Sequence, residues 1–339
     1  MRKKVECPIA KTQYIEPSRT ISKKSIRSPL FYVGDKYKLM TQLKELFPDE
    51  INNYYDVFCG GGSASLNVKA KKIIMNDIDK KIIELHEFLQ NQSSDIEKFI
   101  EKMHKLIKEY GLSISELGTN KDIENLKREF KKTYFSKYNK RSYLKLRNDY
   151  NNNKKVELLY LLIIYGFNHM VRFNSRGDFN LPVGNVDWNK NVSTALRNYA
   201  KWYNANTVKM SKGTDFQIFV NSVDSSTKDF FYFDPPYLIT FSDYNKLWNE
   251  TEELRLYELL DELDSKGIKW GLSNMYSHKG KANRILIEWS KKYYIYDIKS
   301  NYISRFDNSV KKDSKEIYIT NYEKKGFLLN NTNKILLAR

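Results

Sequence analysis

The chain has 339 residues, enough for one large domain or two modest ones, and its 41% of hydrophobic residues fits a globular protein. Its net charge of +17 favours a polyanionic partner such as DNA, although lysine-rich residue usage would give the same excess. Two cysteines and four scattered histidines exclude a disulfide framework and a zinc-type spacing. Without a secretory signal or an apolar run of about 18 residues, we expect a cytoplasmic protein with no membrane span.

The first 27 residues differ from the rest in their charge. They carry eight basic and two acidic side chains and have no apolar core. We expect residues 1–27 to form a flexible basic tail that can lie on DNA phosphates.

A glycine-rich turn follows the first predicted strand. Tyr54–Phe58 reads as a short buried strand, followed by Gly60, Gly61 and Gly62 and by the apolar-patterned Ala64–Val68, where we expect a helix. Glycines at a strand end let the backbone approach a ligand closely, although three glycines also fit a flexible turn. The pattern is not the G-x-G-x-x-G fingerprint, so NAD is not implied.

An acidic residue follows the second predicted strand. This strand is Ile73–Met75, and Asp77 comes just after it, one β/α unit beyond the glycines. Its carboxylate can accept hydrogen bonds from both ribose hydroxyls of a nucleoside-type cofactor, or it can cap a helix. Strands that alternate with helices favour a mostly parallel sheet.

Residues 84–205 interrupt this pattern with a long insert that is largely helical and polar, which we interpret as a second domain. Ser94 and Glu97 have the spacing of a capping box. One helical face is formed by Ile96, Phe99, Ile100, Met103 and Ile107. Later in the insert, residues 167–182 mix an arginine, amides and aromatics with turn formers. Arginine can form a bidentate hydrogen bond with guanine and asparagine with adenine, and an aromatic side chain can intercalate between stacked bases. An ordinary polar loop has the same composition.

The β/α pattern resumes near Thr207. The most specific motif, Asp234-Pro235-Pro236-Tyr237, directly follows the apolar run at residues 230–233. Two prolines hold the turn rigid, and the acid stands at the carboxyl end of a strand, where open α/β sheets bind ligands. The predicted strands of this part are Val208–Met210, Phe230–Phe233, Ile268–Ser273, Tyr293–Ile298 and Ile317–Asn321, with a helix around residues 256–263.

With Tyr32-x-Gly34-x-Lys36 near the start, these motifs resemble in order the Dam-type, D12 class family of site-specific DNA adenine-N6 methyltransferases. The resemblance runs from about residue 29 to residue 322. It implies an α/β fold, with a Rossmann-like S-adenosylmethionine-dependent methyltransferase sheet and an inserted, mainly helical target-recognition domain. The implied division is a tail at 1–27, catalytic parts at 28–83 and 206–325, a recognition domain at 84–205 and a C-terminal tail at 326–339.

The resemblance also implies roles for single residues. Catalysis falls to Asp234, Pro235, Pro236 and Tyr237. S-adenosyl-L-methionine binding falls to Tyr32, Lys36, Asp56, Phe58, Gly60, Gly62, Asp77, Asp215, Phe216 and Asp234. DNA binding falls to Phe167, Asn168, Met170, Arg172, Asn174, Arg176 and Pro182, with Phe167 as the intercalating aromatic. The adenine would leave the duplex, and hydrogen bonds from its N6 amine to Asp234 and the Pro235 carbonyl would prepare it for direct transfer without a metal.

Some alternatives stay open at this point. A DNA cytosine-N4 methyltransferase and a catalytically silent DNA-binding relative share much of the pattern, but Asp234 and the intact Asp77 and Tyr237 favour an active adenine enzyme. A cytosine-C5 enzyme needs a Pro-Cys nucleophile, which the chain lacks. The expected partner is double-stranded DNA, and the chain is expected to be a monomer or weak dimer. A restriction-modification methylase with a separately acting cognate endonuclease and a phage or orphan methylase both stay open. GATC is the leading candidate sequence, although Phe31 replaces a lysine common in GATC-reading members and Asp35 replaces a usual glycine.

Overall fold

A computed structural model describes residues 25–240, 248–298 and 314–324. Its strands are β1 (Asn53–Asp56), β2 (Lys72–Met75), β3 (Val208–Met210), β4 (Phe230–Phe233), β5 (Lys269–His278), β6 (Lys281–Ala282), β7 (Tyr294–Ile298) and β8 (Lys315–Thr320). They form one sheet in the order β3-β2-β1-β4-β5-β8-β7, with β6 paired to β5. The first five strands pair in parallel, and β8 runs antiparallel to both β5 and β7. The prediction of a mixed α/β chain with a mostly parallel sheet is confirmed.

Ten helices accompany these strands in the described part of the chain. They are α1 (Met40–Leu46), α2 (Lys80–Gln92), α3 (Ile96–Tyr110), α4 (Lys121–Phe130), α5 (Tyr134–Asn153), α6 (Val156–Tyr165), α7 (Lys190–Asn204), α8 (Phe216–Asn221), α9 (Glu250–Ser265) and α10 (Arg284–Trp289). Six of them, α2 to α7, lie between β2 and β3. Across the described residues, no helix combines the length and the apolar composition that a bilayer span needs.

The sheet separates two hydrophobic cores because successive side chains of a strand point to opposite faces. Tyr54 and Phe230 belong to one core, while their neighbours Tyr55 and Phe231 belong to the other. The first core also takes in residues of α2, α3, α5, α6 and α7, and the second takes in residues of α8, α9 and α10. All four residues of β4 are buried, as expected for a central strand covered on both faces.

The helical insert therefore packs against one face of the sheet through a continuous core. The boundary expected between residues 83 and 84 falls inside α2, whose buried Ile82, Ile83 and Leu85 belong to that core. At the start of the chain, Ile26 exchanges two backbone hydrogen bonds of 2.8 Å with the Asn67 side chain, so the last residues of the expected tail are anchored. Residues 1–24 and the C-terminal residues 325–339 lie outside the described part of the chain.

Two local predictions are wrong. The helix expected at Ala64–Val68 is only a single 3₁₀ turn at Ser65–Asn67, because the chain becomes extended at Val68. The capping box expected from Ser94 does not form either. Asp95 caps α3 instead and accepts a hydrogen bond from Lys98 N, because a 3₁₀ turn at Ser93–Asp95 carries Ser94 into the preceding turn. The apolar face predicted for this helix is confirmed, with Phe99, Ile100, Met103 and Ile107 buried.

Candidate active site

The side chains of the Asp-Pro-Pro-Tyr motif meet a lysine from the start of the chain. Asp234 follows β4, and its Oδ1 atom lies 2.8 Å from Lys36 Nζ. Lys36 is only 7% exposed and also lies 3.9 Å from Oε1 of Glu316, on β8. One buried cation is thus shared by two carboxylates that are far apart in sequence.

Tyr237 completes this cluster. Its hydroxyl donates to Glu316 Oε1 at 2.8 Å and reaches Asp234 Oδ1 at 3.4 Å, while Lys36 Nζ lies 4.8 Å from the centre of its ring. The ring is buried. The sequence interpretation missed Glu316, and the available signal was a glutamate next to the apolar run at residues 317–319.

Burial and charge act against each other in this cluster. Burial raises the pKa of Asp234, while Lys36 counteracts this and Glu316 adds to it. Burial also lowers the pKa of Lys36, but Asp234 and Glu316 outweigh it, so the net shift is upward. Lys36 therefore stays charged, and within the described part of the chain it is the cation that offsets the negative charge of Asp234 at short range.

The glycine turn after β1 is fixed from two sides. Gly60 N donates to Asp77 Oδ2 at 2.9 Å, and Gly60 O lies 2.9 Å from His86 Nε2. A carbonyl can only accept, so Nε2 carries the proton, and burial lowers the pKa of His86 to about 4, which keeps the ring neutral. A Cβ on Gly61 would come within 2.8 Å of Tyr32 Cβ, so glycine is required for this close contact. His86 is a second contributor that the sequence interpretation missed.

Two acids stand at the carboxyl ends of β1 and β2. Burial raises the pKa of Asp56 to about 7, with Asp234 and Asp77 adding to the shift and a 2.6 Å hydrogen bond from Ser65 Oγ opposing it. Burial likewise raises the pKa of Asp77 to about 6. Asp77 does not cap α2, since Asp79 has that role. The carboxyl edge of the sheet thus concentrates acids whose ionised forms are disfavoured by burial.

Asn76 ties three strand ends together. Its Nδ2 atom donates to Val57 O and Thr214 O, both at 3.0 Å, and Oδ1 accepts from Ser211 Oγ. The loops after β1, β2 and β3 are therefore held in one arrangement. Buried amides with several partners are typical of positions that fix loop geometry.

Beyond β3, Asp215 and Phe216 lie beside an aromatic cluster. Asp215 caps α8 by accepting from Gln217 N and forms an ion pair with Arg255. Phe216 lies beneath the Arg255 guanidinium, at 4.3 Å from its Cζ atom. The ring of Phe216 also lies 5.5 Å from that of Phe58 and 5.8 Å from that of Trp248. The backbone and Arg255 thus engage the Asp215 carboxylate, while the three rings form an apolar wall beside it.

Residues 166–184 form a hairpin loop, closed by bridges between Gly166 and Val183 and between Phe173 and Phe179. At its base Phe167 is 49% exposed, and Asn168 and His169 both have positive φ. The His169 ring lies 5.5 Å from that of Phe31, so the base of the hairpin loop contacts the segment that carries Tyr32.

The other DNA-binding candidates occupy different parts of this hairpin loop. Arg172 donates from Nε to Asn180 Oδ1 at 2.9 Å and from NH2 to Asn180 O at 2.8 Å. Asn174 accepts from Arg176 N and Asp178 N and so shapes the tip. Arg176 has 85% of its side chain exposed. At the base, Met170 is half-buried and Pro182 is exposed.

The candidates therefore fall into two groups. The structure brings Lys36, Asp56, Asp77 and Asp234 to one edge of the sheet together with the glycine turn. It places the DNA-binding candidates on the hairpin loop.

Comparison with known proteins identifies the family of the chain. The family model for D12 class N6 adenine-specific DNA methyltransferases matches residues 32–304. The type II methyltransferase M.FokI of Planomicrobium okeanokoites is 36% identical over 318 residues, covering 91% of this chain and 45% of that protein. The modification methylase StsI of Streptococcus sanguinis is 36% identical over 324 residues, covering 92% and 45%.

A shorter relative matches over most of its length. The type II methyltransferase M.MjaIII of Methanocaldococcus jannaschii is 30% identical over 278 residues, covering 73% of this chain and 84% of that protein. The chain thus spans about half the length of M.FokI and StsI. The chain belongs to the family of D12 class N6 adenine-specific DNA methyltransferases.

Proposed function

We propose that this chain transfers a methyl group from S-adenosyl-L-methionine to the N6 amine of an adenine flipped out of double-stranded DNA. The observation that carries this proposal is the placement of Asp234. Its carboxylate stands at the carboxyl edge of β4, held by Lys36 at 2.8 Å, on the same edge as the glycine turn and Asp77. An acceptor beside a nucleoside-type cofactor site is what an exocyclic amine requires.

The residues at this edge fit such a cofactor. Asp56 is buried and Asp77 is half-buried, and burial raises their pKa values to about 7 and about 6, because no cation among the described residues offsets the burial of either acid. S-adenosyl-L-methionine carries a sulfonium and an ammonium group, which would supply the missing positive charge. When bound, it would provide the electrophilic methyl group. Asp77 would accept hydrogen bonds from the ribose hydroxyls, and Phe58, Phe216 and Trp248 would form an apolar wall for the adenine.

The protein's own part in the chemistry lies in Asp234 and its neighbours. We propose that Asp234 and the Pro235 carbonyl accept hydrogen bonds from the target amine, which localises the nitrogen lone pair. Lys36 holds the Asp234 carboxylate in place through Oδ1. The target base would stack on the face of Tyr237 opposite Lys36, which offsets part of the cost of leaving the duplex, a few kcal/mol.

The helical insert would recognise the target. Phe167 is large, apolar and half-exposed at the base of the hairpin loop, as an intercalating side chain must be. Its neighbour His169 packs on Phe31, one residue before Tyr32, so base reading and cofactor binding would be adjacent. Because relatives are named as modification methylases, we further propose that the chain protects DNA from a separate restriction endonuclease.

The test is methyl transfer to DNA by the purified chain, followed by nucleoside analysis of the product. We expect N6-methyladenine from the wild type and none from Asp234→Asn, which retains the size of the side chain and removes its charge. Asp264→Asn, at an exposed acid in the last turn of α9, is the matched control and should remain active. N4-methylcytosine as the product, or unimpaired transfer by Asp234→Asn, would contradict the proposal.

A further inference from the structure

A strongly basic surface lies on α4, α5 and the turn between them. Residues 127–145 contain eight lysines and arginines and one acid, Glu129, a large part of the net charge of +17. All eight basic side chains are exposed, and none forms an ion pair with any residue that the structure describes. We call residues 127–145 the basic helix pair.

The repulsion among these eight positive charges destabilises the basic helix pair unless negative charges from another molecule offset it. Neighbouring cations within a Debye length of about 8 Å repel one another at physiological salt. Two of these lysines lie beside aromatic rings: Lys137 Nζ is 4.7 Å from the centre of the Phe130 ring, and Lys127 Nζ is 6.0 Å from that of Tyr134. An aromatic ring carries no net charge, so these contacts do not neutralise the lysines. Lys131 even adopts φ 46°, a backbone conformation that costs a non-glycine residue free energy. A regularly charged polyanion would relieve the repulsion.

The basic helix pair is held by the segment that leaves the hairpin loop. Near the start of α5, Asn185 Oδ1 accepts from Phe135 N at 2.9 Å and from Ser136 N at 3.3 Å. No side chain of the preceding Thr133 caps this helix, so Asn185 takes that role from 50 residues away. Asn185 Nδ2 also donates to Lys132 O. The segment leaving the hairpin loop thus holds the basic turn in place.

Further contacts follow toward the tip of the hairpin loop. Tyr143 Oη donates to Leu181 O at 3.3 Å, and Asn151 bonds both the N–H and the carbonyl of Phe179, at 2.8 and 3.1 Å. Lys154 Nζ donates to Gly177 O at 3.2 Å. Helix α5 therefore runs alongside the second limb of the hairpin loop from base to tip. Its 20 residues span about 30 Å, close to one turn of B-DNA, about 34 Å.

From this juxtaposition we propose that the basic helix pair binds the phosphate backbone of duplex DNA that flanks the site read by the hairpin loop. The inference rests on the proposed function for the identity of the polyanion, and adds the surface that carries it. Asn185 acts as a positioning residue, because it fixes the phosphate-binding surface relative to the base-reading one. Contacts of this kind set register and affinity without carrying sequence information.

The test is the salt dependence of binding by the full chain to a 30-base-pair duplex without a recognition site. The variant is Lys131→Gln, Lys132→Gln, Lys140→Gln. Each phosphate contact contributes about 0.9 to the slope of log K against log salt, so the slope should become shallower by up to about 2.7. Between 0.05 and 0.2 M salt, the wild type should lose up to about 40-fold more affinity than the variant.

The matched control is Lys228→Gln, Lys266→Gln, Lys269→Gln. These three lysines are equally exposed but lie at the amino ends of β4 and β5, opposite the edge that holds Asp234. Their replacement should leave the slope as in the wild type. Equal slopes for the wild type and the 131/132/140 variant would overturn the proposal, as would an equal decrease in the control. A change in slope with duplex RNA alone would also overturn it.

Asn185→Ala separates positioning from charge. We expect it to reduce methylation at the cognate site while leaving the salt slope on non-specific DNA unchanged, and an equal loss on all duplexes would refute the positioning role. The failure of the proposed function would look different. If the wild type transfers no methyl group but its salt slope is still steeper than that of the 131/132/140 variant, the methyltransferase activity is disproved. The proposal that the basic helix pair binds DNA is then still supported.

Discussion

Tyr237 and Glu316 are joined by a 2.8 Å hydrogen bond from the phenol to Oε1, although they are 79 residues apart. The same carboxylate lies 3.9 Å from Lys36 Nζ. Glu316 therefore orients both the aromatic side chain and the cation that contact Asp234. It belongs to no sequence motif of the site, yet it contacts two residues that do, Tyr237 and Lys36.

The first prediction tests Glu316 as a positioning residue. Glu316→Ala leaves the Tyr237 hydroxyl without its acceptor and Lys36 with one carboxylate. At about 1.4 kcal/mol, the value of one or two lost hydrogen bonds, kcat should fall about tenfold. Glu316 lies 3.9 Å from Lys36, itself a candidate cofactor residue, so calorimetry of S-adenosyl-L-methionine binding accompanies the rate measurement, and we expect the loss in kcat to exceed any rise in Kd. Glu316→Gln keeps an acceptor for Tyr237 and should recover part of the rate. Equal losses in both variants would point to the charge alone, and a loss explained by a lower melting temperature would remove the positioning role.

The contrast between Asp234 and Glu316 shows what the sequence could predict. Asp234, Asp77 and the glycines were predicted because each belongs to a short motif at a strand end, and the order of strands brings such ends to one edge. Glu316 and His86 were missed because their contacts arise only when β8 packs beside β5 and α2 packs under the glycine turn. Strands β3 and β4 were predicted with the bounds that the structure shows, since each begins and ends with an apolar residue and is flanked by polar ones. The turn at Ser65–Asn67 was not predicted, because Asn67 bonds residues 26 and 63.

The second prediction concerns the support of the glycine turn. His86→Ala removes the hydrogen bond to Gly60 O and leaves a cavity beside Gly62, where an added Cβ would lie 3.0 Å from His86 Cε1. The turn should lose its fixed shape, and the Kd for S-adenosyl-L-methionine should rise about tenfold, the equivalent of about 1.4 kcal/mol. Calorimetry measures this directly, with circular dichroism as the check on folding. His104→Ala serves as the control because that histidine packs on Trp188 in the insert. An unchanged Kd for the folded His86 variant would exclude this role.

The third prediction follows from the raised pKa values of Asp56 and Asp77, about 7 and about 6. A bound cation favours the ionised carboxylates, so their pKa values should be lower in the complex than in the free protein. Affinity for S-adenosyl-L-methionine should therefore rise with pH and level off above pH 7 to 8. Between pH 8 and pH 6 these two groups should account for a loss of about twentyfold.

The comparison with Asp56→Asn isolates this effect from the titration of the ligand itself. The variant has lost the group with the higher pKa, so its affinity should fall by only about twofold over the same range after that correction. Calorimetric titrations of both proteins at pH 6, 7 and 8 give the ratio. A ratio that does not change with pH would show that Asp56 does not face the cofactor.

The last prediction separates base reading from backbone binding within the hairpin loop. Two donors of Arg172 are committed to Asn180, which fixes the plane of its guanidinium, whereas Arg176 is 85% exposed near the tip. If the fixed arginine contacts a guanine edge, Arg172→Ala should cost about 1–3 kcal/mol at one base pair only. Arg176→Ala is the matched control and should weaken all duplexes alike, as a phosphate contact would. Methylation rates of both variants on the cognate site and on its single-base variants provide the measurement.

Asn180→Ala should reproduce part of the Arg172→Ala pattern, because it releases the guanidinium without removing it. Uniform weakening by Arg172→Ala across every duplex would instead assign that arginine to the backbone, and base reading would then have to come from other side chains of the hairpin loop.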